Sequence, residues 1–139
     1  MTRITVKIES CMDFQDTNEY GFTIAASESG GEATLFDLSL DFASKLIPGK
    51  PVDDLLQELK SIDLQKVLWE DEKIQLCDGS DLILELENGS RSVTVSLNNP
   101  SMQAYKDAGC LESCKLLEFV QKAVKLANEH GVEFDLERE

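Results

Sequence analysis

The sequence predicts a single α+β domain over residues 1–139, in which an antiparallel β-sheet of about six strands carries two helices on one face. Three observations predict this class: two turn motifs typical of β-hairpins, several short runs of alternating apolar and polar residues, and one long apolar repeat with helical spacing. The expected order is three strands, a helix, three strands and a helix (βββαβββα). A chain of this length buries enough surface to fold without a metal ion or a disulfide.

The clearest signal is a meander between Ile74 and Leu97, where two turns separate three short runs. Asp78-Gly79 and Asn88-Gly89 fit type I′ turns, because glycine adopts the positive φ that these turns require and Asn or Asp tolerates it. After each turn, every second residue is a leucine or a valine. We therefore expect three antiparallel strands with one apolar face.

The first half of the chain predicts three further strands. Residues 4–8 and 20–26 alternate between apolar and polar side chains, as in half-buried strands. Residues 33–42 allow two interpretations, since Leu35, Leu38 and Phe42 have helical spacing, whereas the even-numbered residues from Phe36 to Phe42 alternate with polar ones. The strict alternation and the preceding Gly30-Gly31 turn favour a strand, paired in a hairpin with residues 20–26.

Two helices are predicted from start signals and apolar spacing. The first is expected to begin at Pro51, with Asp53 and Asp54 in its first turn, and to present Val52, Leu55, Leu56 and Leu59 to the core.

The second helix is predicted from about Cys110 to Glu129, with Gly131 as the left-handed residue after its end and a Glu118–Lys122 pair on its surface. Its expected buried positions are Ser113, Leu116, Leu117, Val120, Ala123, Val124 and Ala127. The alternating tail at residues 132–136 fits either a short edge strand or a frayed acidic end.

The charge balance indicates the kind of partner. A formal net charge of −14 repels nucleic acids and anionic membranes and favours association with a basic protein. The start of the chain does not resemble a signal peptide and no run matches a membrane span, so we expect a cytoplasmic protein with reduced cysteines.

The side chains that could carry chemistry form no catalytic or metal-binding pattern, so we expect no catalytic residue, no cofactor and no metal. Cys110 and Cys114 share a helix face, but core packing is favoured over a thiolate site completed by Cys11 or Cys77. His130 is the only histidine and is predicted to lie at a helix C-terminus rather than to act in catalysis.

Two acidic segments are the candidate binding residues. In the first, Trp69 precedes Glu70, Asp71 and Glu72, a combination of an aromatic anchor and steering carboxylates. The alternative for Trp69 is a place in the core beside Val67. The second segment is the loop that contains Asp13, Asp16 and Glu19. Its partial match to a calcium loop fails at the twelfth position, Ser27, so a hairpin loop is preferred.

The stretch from Trp69 to Ala127 resembles the immunity-type proteins that bacteria encode beside polymorphic or contact-dependent toxins. The resemblance is carried by Trp69, by Asp78-Gly79 with the alternating leucines after it, by Asn99-Pro100 and by the closing apolar helix. It implies a stoichiometric inhibitor that occludes the active site of a toxin, often a basic nuclease. The alternative is a ligand-binding or enzymatic α+β domain that uses a cleft between the sheet and the helices.

Overall fold

The computed structural model describes residues 2–10, 21–26, 31–38, 43–70, 80–98 and 102–134. These residues form a six-stranded antiparallel sheet and four helices, which confirms the predicted α+β class. The elements are β1 (Thr2–Ser10), β2 (Gly21–Ala26), β3 (Glu32–Asp37), β4 (Ala43–Pro48), α1 (Gly49–Lys60), α2 (Leu64–Glu70), β5 (Ser80–Asn88), β6 (Arg91–Asn98), α3 (Met102–Asp107) and α4 (Leu111–Glu129). Among them, no helix is long and apolar enough to cross a membrane.

The N-terminal strand lies in the middle of the sheet, whose strand order is β4-β3-β2-β1-β5-β6. Val6 of β1 is opposite Phe22 of β2 on one side and opposite Leu84 of β5 on the other. The hairpin of β5 and β6 is confirmed, but its turn lies one residue later than predicted. Asn88 ends β5 and pairs with Arg91, so the two turn residues are Gly89, at φ +64°, and Ser90. The predicted strand around Ile74 lies outside the described residues. In a three-stranded meander that strand would pair with β5, but β1 is the strand that pairs with β5 on the side away from β6.

One face of the sheet packs against the helices and the other carries polar side chains. The apolar face contributes Ile4, Val6, Phe22, Ile24, Leu35, Ile47, Leu82, Leu84 and Leu97 to the core. On the opposite face, the Thr5 and Thr23 hydroxyls are 2.9 Å apart and Lys7 Nζ lies 3.1 Å from Glu85 Oε1. The alternation of the strands therefore sorts their side chains between a core and a hydrated surface.

The choice of strand for residues 33–42 is confirmed over β3, while residues 39–42 lie outside the described part. The alternation that begins at Phe36, on which the choice depended, does not mark the buried face. Leu35 is 1% exposed and lies opposite Ile24, whereas Phe36 is only partly buried. A strand exchanges its two faces when its register shifts by one residue, and pairing with both β2 and β4 selects the face of Leu35. The next strand, β4, was not predicted, because its exposed Leu46 and buried Ile47 interrupt the apolar alternation.

Helix α1 has the predicted apolar stripe but begins two residues earlier than expected. Because it starts at Gly49, Asp53 and Asp54 fall in the second turn and not in the first. A Cβ at Gly49 would lie 2.8 Å from the carbonyl carbon of Gly31, so the close passage of the two chain segments requires glycine. The short helices α2 and α3 were not predicted as helices, and both pack against α4.

Helix α4 confirms the sequence interpretation most fully, since every residue predicted to be buried on it is buried. It ends in a Schellman motif, in which the Val132 N–H donates to the Ala127 carbonyl oxygen at 3.0 Å and Gly131 has φ +95°. On its surface, Lys122 Nζ lies 2.9 Å from Glu58 Oε1 of α1, a different partner from the predicted Glu118.

The chain after α4 continues into the core and forms no strand at residues 132–134. Val132 and Phe134 are buried, and the ring of Phe134 meets that of Phe22 edge to face, with 5.3 Å between the centroids. Over these residues, neither an edge strand nor a frayed end describes the tail, and residues 135–139 lie outside the described part.

Candidate functional site

Two of the seven predicted binding residues, Trp69 and Glu70, lie in the described part of the chain. The other five lie outside it: Asp71, Glu72, Asp13, Asp16 and Glu19. The described site is therefore built around the end of α2.

Trp69 is on the surface, with 65% of its side chain exposed. Val67, two residues earlier on α2, is completely buried. Two residues are about 200° apart around a helix, so the burial of Val67 turns Trp69 outwards. The alternative of a core tryptophan is wrong.

Glu70 connects α2 to the N-terminus of α4. Its carboxylate accepts hydrogen bonds from the Glu112 N–H at 3.1 Å, the Ser113 N–H at 3.0 Å and the Ser113 hydroxyl at 3.1 Å. The first N–H groups of a helix have no partner within the helix, and a negative charge there also interacts favourably with the helix dipole. Cys110 is in the N-cap position but directs its thiol to the Glu70 carbonyl oxygen at 3.6 Å, so the cap is supplied by Glu70.

Glu112 makes the reciprocal connection from α4 to the start of α2. Its Oε2 accepts the Asp63 N–H at 3.0 Å, and Asp63 Oδ1 accepts the N–H groups of Gln65 and Lys66, so Asp63 caps α2. The hydrogen bond from Lys115, assisted by the Asp63 N–H, holds the pKa of Glu112 below its usual value. We call Asp63, Glu70, Glu112 and Ser113 the helix clamp, because they join the two helices at both ends of α2.

Trp69 and Leu111 are two exposed apolar side chains, and each directly precedes a residue of the helix clamp in the chain. Leu111 is 68% exposed and directly precedes Glu112 in the chain, as Trp69 directly precedes Glu70. The hydrogen bonds of Glu70 therefore fix the backbone that carries both side chains. Tryptophan is one of the residue types most enriched among the side chains that contribute most of the binding energy in protein interfaces.

A groove of about 540 Å³ lies between α1 and the β5–β6 hairpin. Its apolar lining comes from Leu56, Leu59, Leu86 and Val93, and its charged residues are Asp53, Lys60, Glu87 and Arg91. Val93 has the predicted orientation towards the apolar face but is 48% exposed, because the groove leaves this end of the sheet uncovered.

The cysteines and the histidine that were considered for metal binding or catalysis lie in the core or at a helix end. Cys110 and Cys114 are buried, and burial raises the pKa of the Cys114 thiol. Within the described ranges, no three metal-ligating side chains come together, while Cys11 and Cys77 lie outside those ranges. His130 is confirmed at the C-terminus of α4, where its Nδ1 lies 2.9 Å from the Leu126 carbonyl oxygen.

Comparison with known proteins adds no family to these observations. No protein-family model matches the chain, and no curated protein sequence is significantly similar to it. Its function is therefore inferred from the charge and the surface geometry described above.

Proposed function

We propose that this protein is a cytoplasmic, non-enzymatic inhibitor of immunity type that binds a basic protein toxin and occludes its active site. The observation that carries the proposal is Trp69, an exposed aromatic side chain on a clamped helix of a protein with a net charge of −14. The resemblance to bacterial immunity-type proteins agrees with this charge argument. The class of toxin that it suggests is a nuclease, whose substrate-binding groove is rich in Lys and Arg.

The charge and the exposed apolar side chains have different tasks in this proposal. Opposite potentials steer two proteins towards each other and raise the association rate by about 10- to 1000-fold at low salt. Apolar anchors such as Trp69 and Leu111 act after encounter. They lose their contact with water in the complex and regain it on dissociation, so they mainly slow the dissociation rate. The helix clamp lowers the conformational entropy that is lost on binding, since the backbone that carries both anchors is already ordered in the free protein.

The direct test is capture of a partner from the native organism on the immobilised protein, followed by activity measurements on the purified partner. We expect a basic protein that forms a complex of defined stoichiometry and loses its activity when one equivalent is bound. Its association rate should fall steeply with salt. If the retained protein keeps its full activity in the complex, the inhibitor proposal is wrong.

Trp69→Ser tests the anchor, and Leu46→Ser is its matched control. The two side chains are equally exposed, at 65% and 66%, but Leu46 lies on the edge strand β4. Loss of an interface anchor costs about 2 kcal/mol or more, so Trp69→Ser should speed dissociation by about 30-fold. Leu46→Ser should leave it unchanged, and neither variant should alter the melting temperature by more than a few degrees.

A second candidate function is the binding of a small ligand, and the groove beside α1 favours it. Its volume of about 540 Å³ falls within the range of small-molecule sites. A thermal-shift screen of small molecules distinguishes the two candidates. A compound that stabilises the wild type but not Leu86→Lys would support the ligand-binding alternative.

A further inference from the structure

The two outer strands of the sheet differ in how their edges are protected. β4 contains Lys45 and ends at Pro48, and both residue types discourage another strand from pairing. β6 contains no proline and has a charge only at its first residue, Arg91, since residues 92–97 read Ser-Val-Thr-Val-Ser-Leu. Among the described residues, β6 ends the sheet, so it presents an edge that favours strand addition.

The hairpin register identifies the backbone groups that β6 presents. Asn88 and Arg91 flank a two-residue turn and pair with each other, so their N–H and C=O groups point across the hairpin. Backbone groups alternate in direction along a strand, which turns those of Val93 towards β5 as well. The groups of Ser92, Thr94 and Ser96 therefore point outwards, and all three residues are exposed.

The groove lies directly beside this edge. Val93, between two of the outward-pointing residues, lines it together with Leu56, Leu59 and Leu86. A strand that pairs with β6 would place alternate side chains on the side of the groove. Main-chain hydrogen bonds would then supply affinity, and the apolar lining would select the side chains.

We propose that the outer edge of β6 binds an extended segment of the partner, which adds a seventh strand to the sheet and inserts apolar side chains into the groove. The charge identifies the occupant. With a net charge of −14 on each molecule, a second copy is repelled, whereas a segment with Lys or Arg at its ends is attracted. The groove itself has two acidic and two basic residues, Asp53, Glu87, Lys60 and Arg91, which suits an uncharged centre of the segment. The basic character of the partner rests on the function proposed above.

A phage-displayed library of random linear peptides, at least as long as β6, tests the proposal on the intact protein. Peptides selected on the wild type should alternate β-branched or aromatic residues with polar ones and carry Lys or Arg near their ends. They should also slow hydrogen exchange at the amides of Ser92, Thr94 and Ser96. A selection that yields no such peptides would overturn the proposal.

Thr94→Pro is the decisive variant, because it removes an outward N–H and leaves the bonds between β5 and β6 intact. Ser44→Pro is its matched control, since Ser44 occupies the exposed outer strand β4. Selected peptides should bind Thr94→Pro about tenfold more weakly or worse and bind Ser44→Pro as they bind the wild type. Equal binding to the two variants would refute strand addition at β6.

Val93→Lys, with Leu46→Lys as its control, gives the same comparison if Thr94→Pro does not fold. Sedimentation of the protein alone tests whether a second copy of the chain binds to the β6 edge instead. A wild-type dimer that becomes a monomer in Thr94→Pro would show that the second copy, and not a partner segment, occupies this edge. The outcomes also separate the two proposals. A toxin that is neutralised equally well by Thr94→Pro would refute only the pairing edge, whereas peptides that pair with β6 without any inhibited toxin would refute only the inhibitor function.

Discussion

Removal of the Glu70 carboxylate should destabilise the protein measurably, although Glu70 lies on a different helix from the one it caps. Glu70→Ala deletes three hydrogen bonds of 3.0 to 3.1 Å to Glu112 and Ser113. Loss of a helix cap costs about 0.5–2 kcal/mol, and loss of a negative charge near a helix N-terminus costs about 0.3–1 kcal/mol. We therefore expect a decrease of about 1–3 kcal/mol in the free energy of unfolding. Water can solvate part of this half-buried site, so the loss should stay below the sum for three separate charged hydrogen bonds.

Urea denaturation followed by far-ultraviolet circular dichroism measures this decrease, and the slope shows whether unfolding stays two-state. Glu70→Gln keeps an acceptor oxygen without the charge and should cost less than Glu70→Ala. Glu118→Ala, at an exposed position on α4, should change stability by about 0.5 kcal/mol or less. If Glu70→Ala is as mild as Glu118→Ala, the cap contributes nothing and the reasoning fails. In a double-mutant cycle, Glu70→Ala combined with Ser113→Ala should cost less free energy of unfolding than the sum of the two single variants, because both remove the same hydrogen bond.

Three further predictions test the core, the turn and the acid response. Leu117→Ala should reduce the free energy of unfolding by about 2–5 kcal/mol, because Leu117 is buried. Lys122→Ala, which breaks an exposed ion pair, should reduce it by about 1 kcal/mol or less. Similar urea midpoints for the two variants would contradict the buried face assigned to α4. Gly89→Val should cost about 1 kcal/mol or more through strain at φ +64°, although open space surrounds the position, and an unchanged melting temperature would argue against the turn. Glu112 has a lowered pKa in the folded state. The stability that it contributes is therefore complete above its usual pKa of 4.5 and is lost as the pH falls through the folded-state pKa. Glu112→Gln should flatten the acid side of the plot of stability against pH, and an unchanged slope would contradict the interaction of Glu112 with Lys115.

The elements that could be predicted are those whose pattern is long or whose turn is specific. Helix α4 repeats its apolar spacing over 19 residues, and the Asn-Gly signal at residues 88 and 89 predicted the hairpin, although the turn itself consists of Gly89 and Ser90. Helices α2 and α3 have seven and six residues, which is too short for a periodic signal. The buried face of β3 depends on its pairing with β2 and β4, and the apolar residues from Phe36 onwards favoured the opposite face.

The site was predicted in type but not in geometry. Trp69 stands out in the sequence as the single tryptophan beside an acidic run, but its orientation follows from a helix that the sequence pattern did not reveal. The role of Glu70 depends on contacts with residues 42 and 43 positions away in the chain. A local pattern contains no information about such a contact. The groove likewise depends on the distance between α1 and the β5–β6 hairpin, which are far apart in the chain.

The central position of β1 affects the order in which the chain can fold. Antiparallel contacts connect β1, β2, β3 and β4 in sequence, so these four of the six strands pair by closing only short loops. The pairing of β1 with β5 joins Thr2 to Asn88, which are 86 residues apart. A long loop costs more chain entropy to close, and non-local pairing is slow. During synthesis, one side of the first strand therefore lacks its neighbour until residues 80–88 have left the ribosome, and its backbone groups are exposed in that interval.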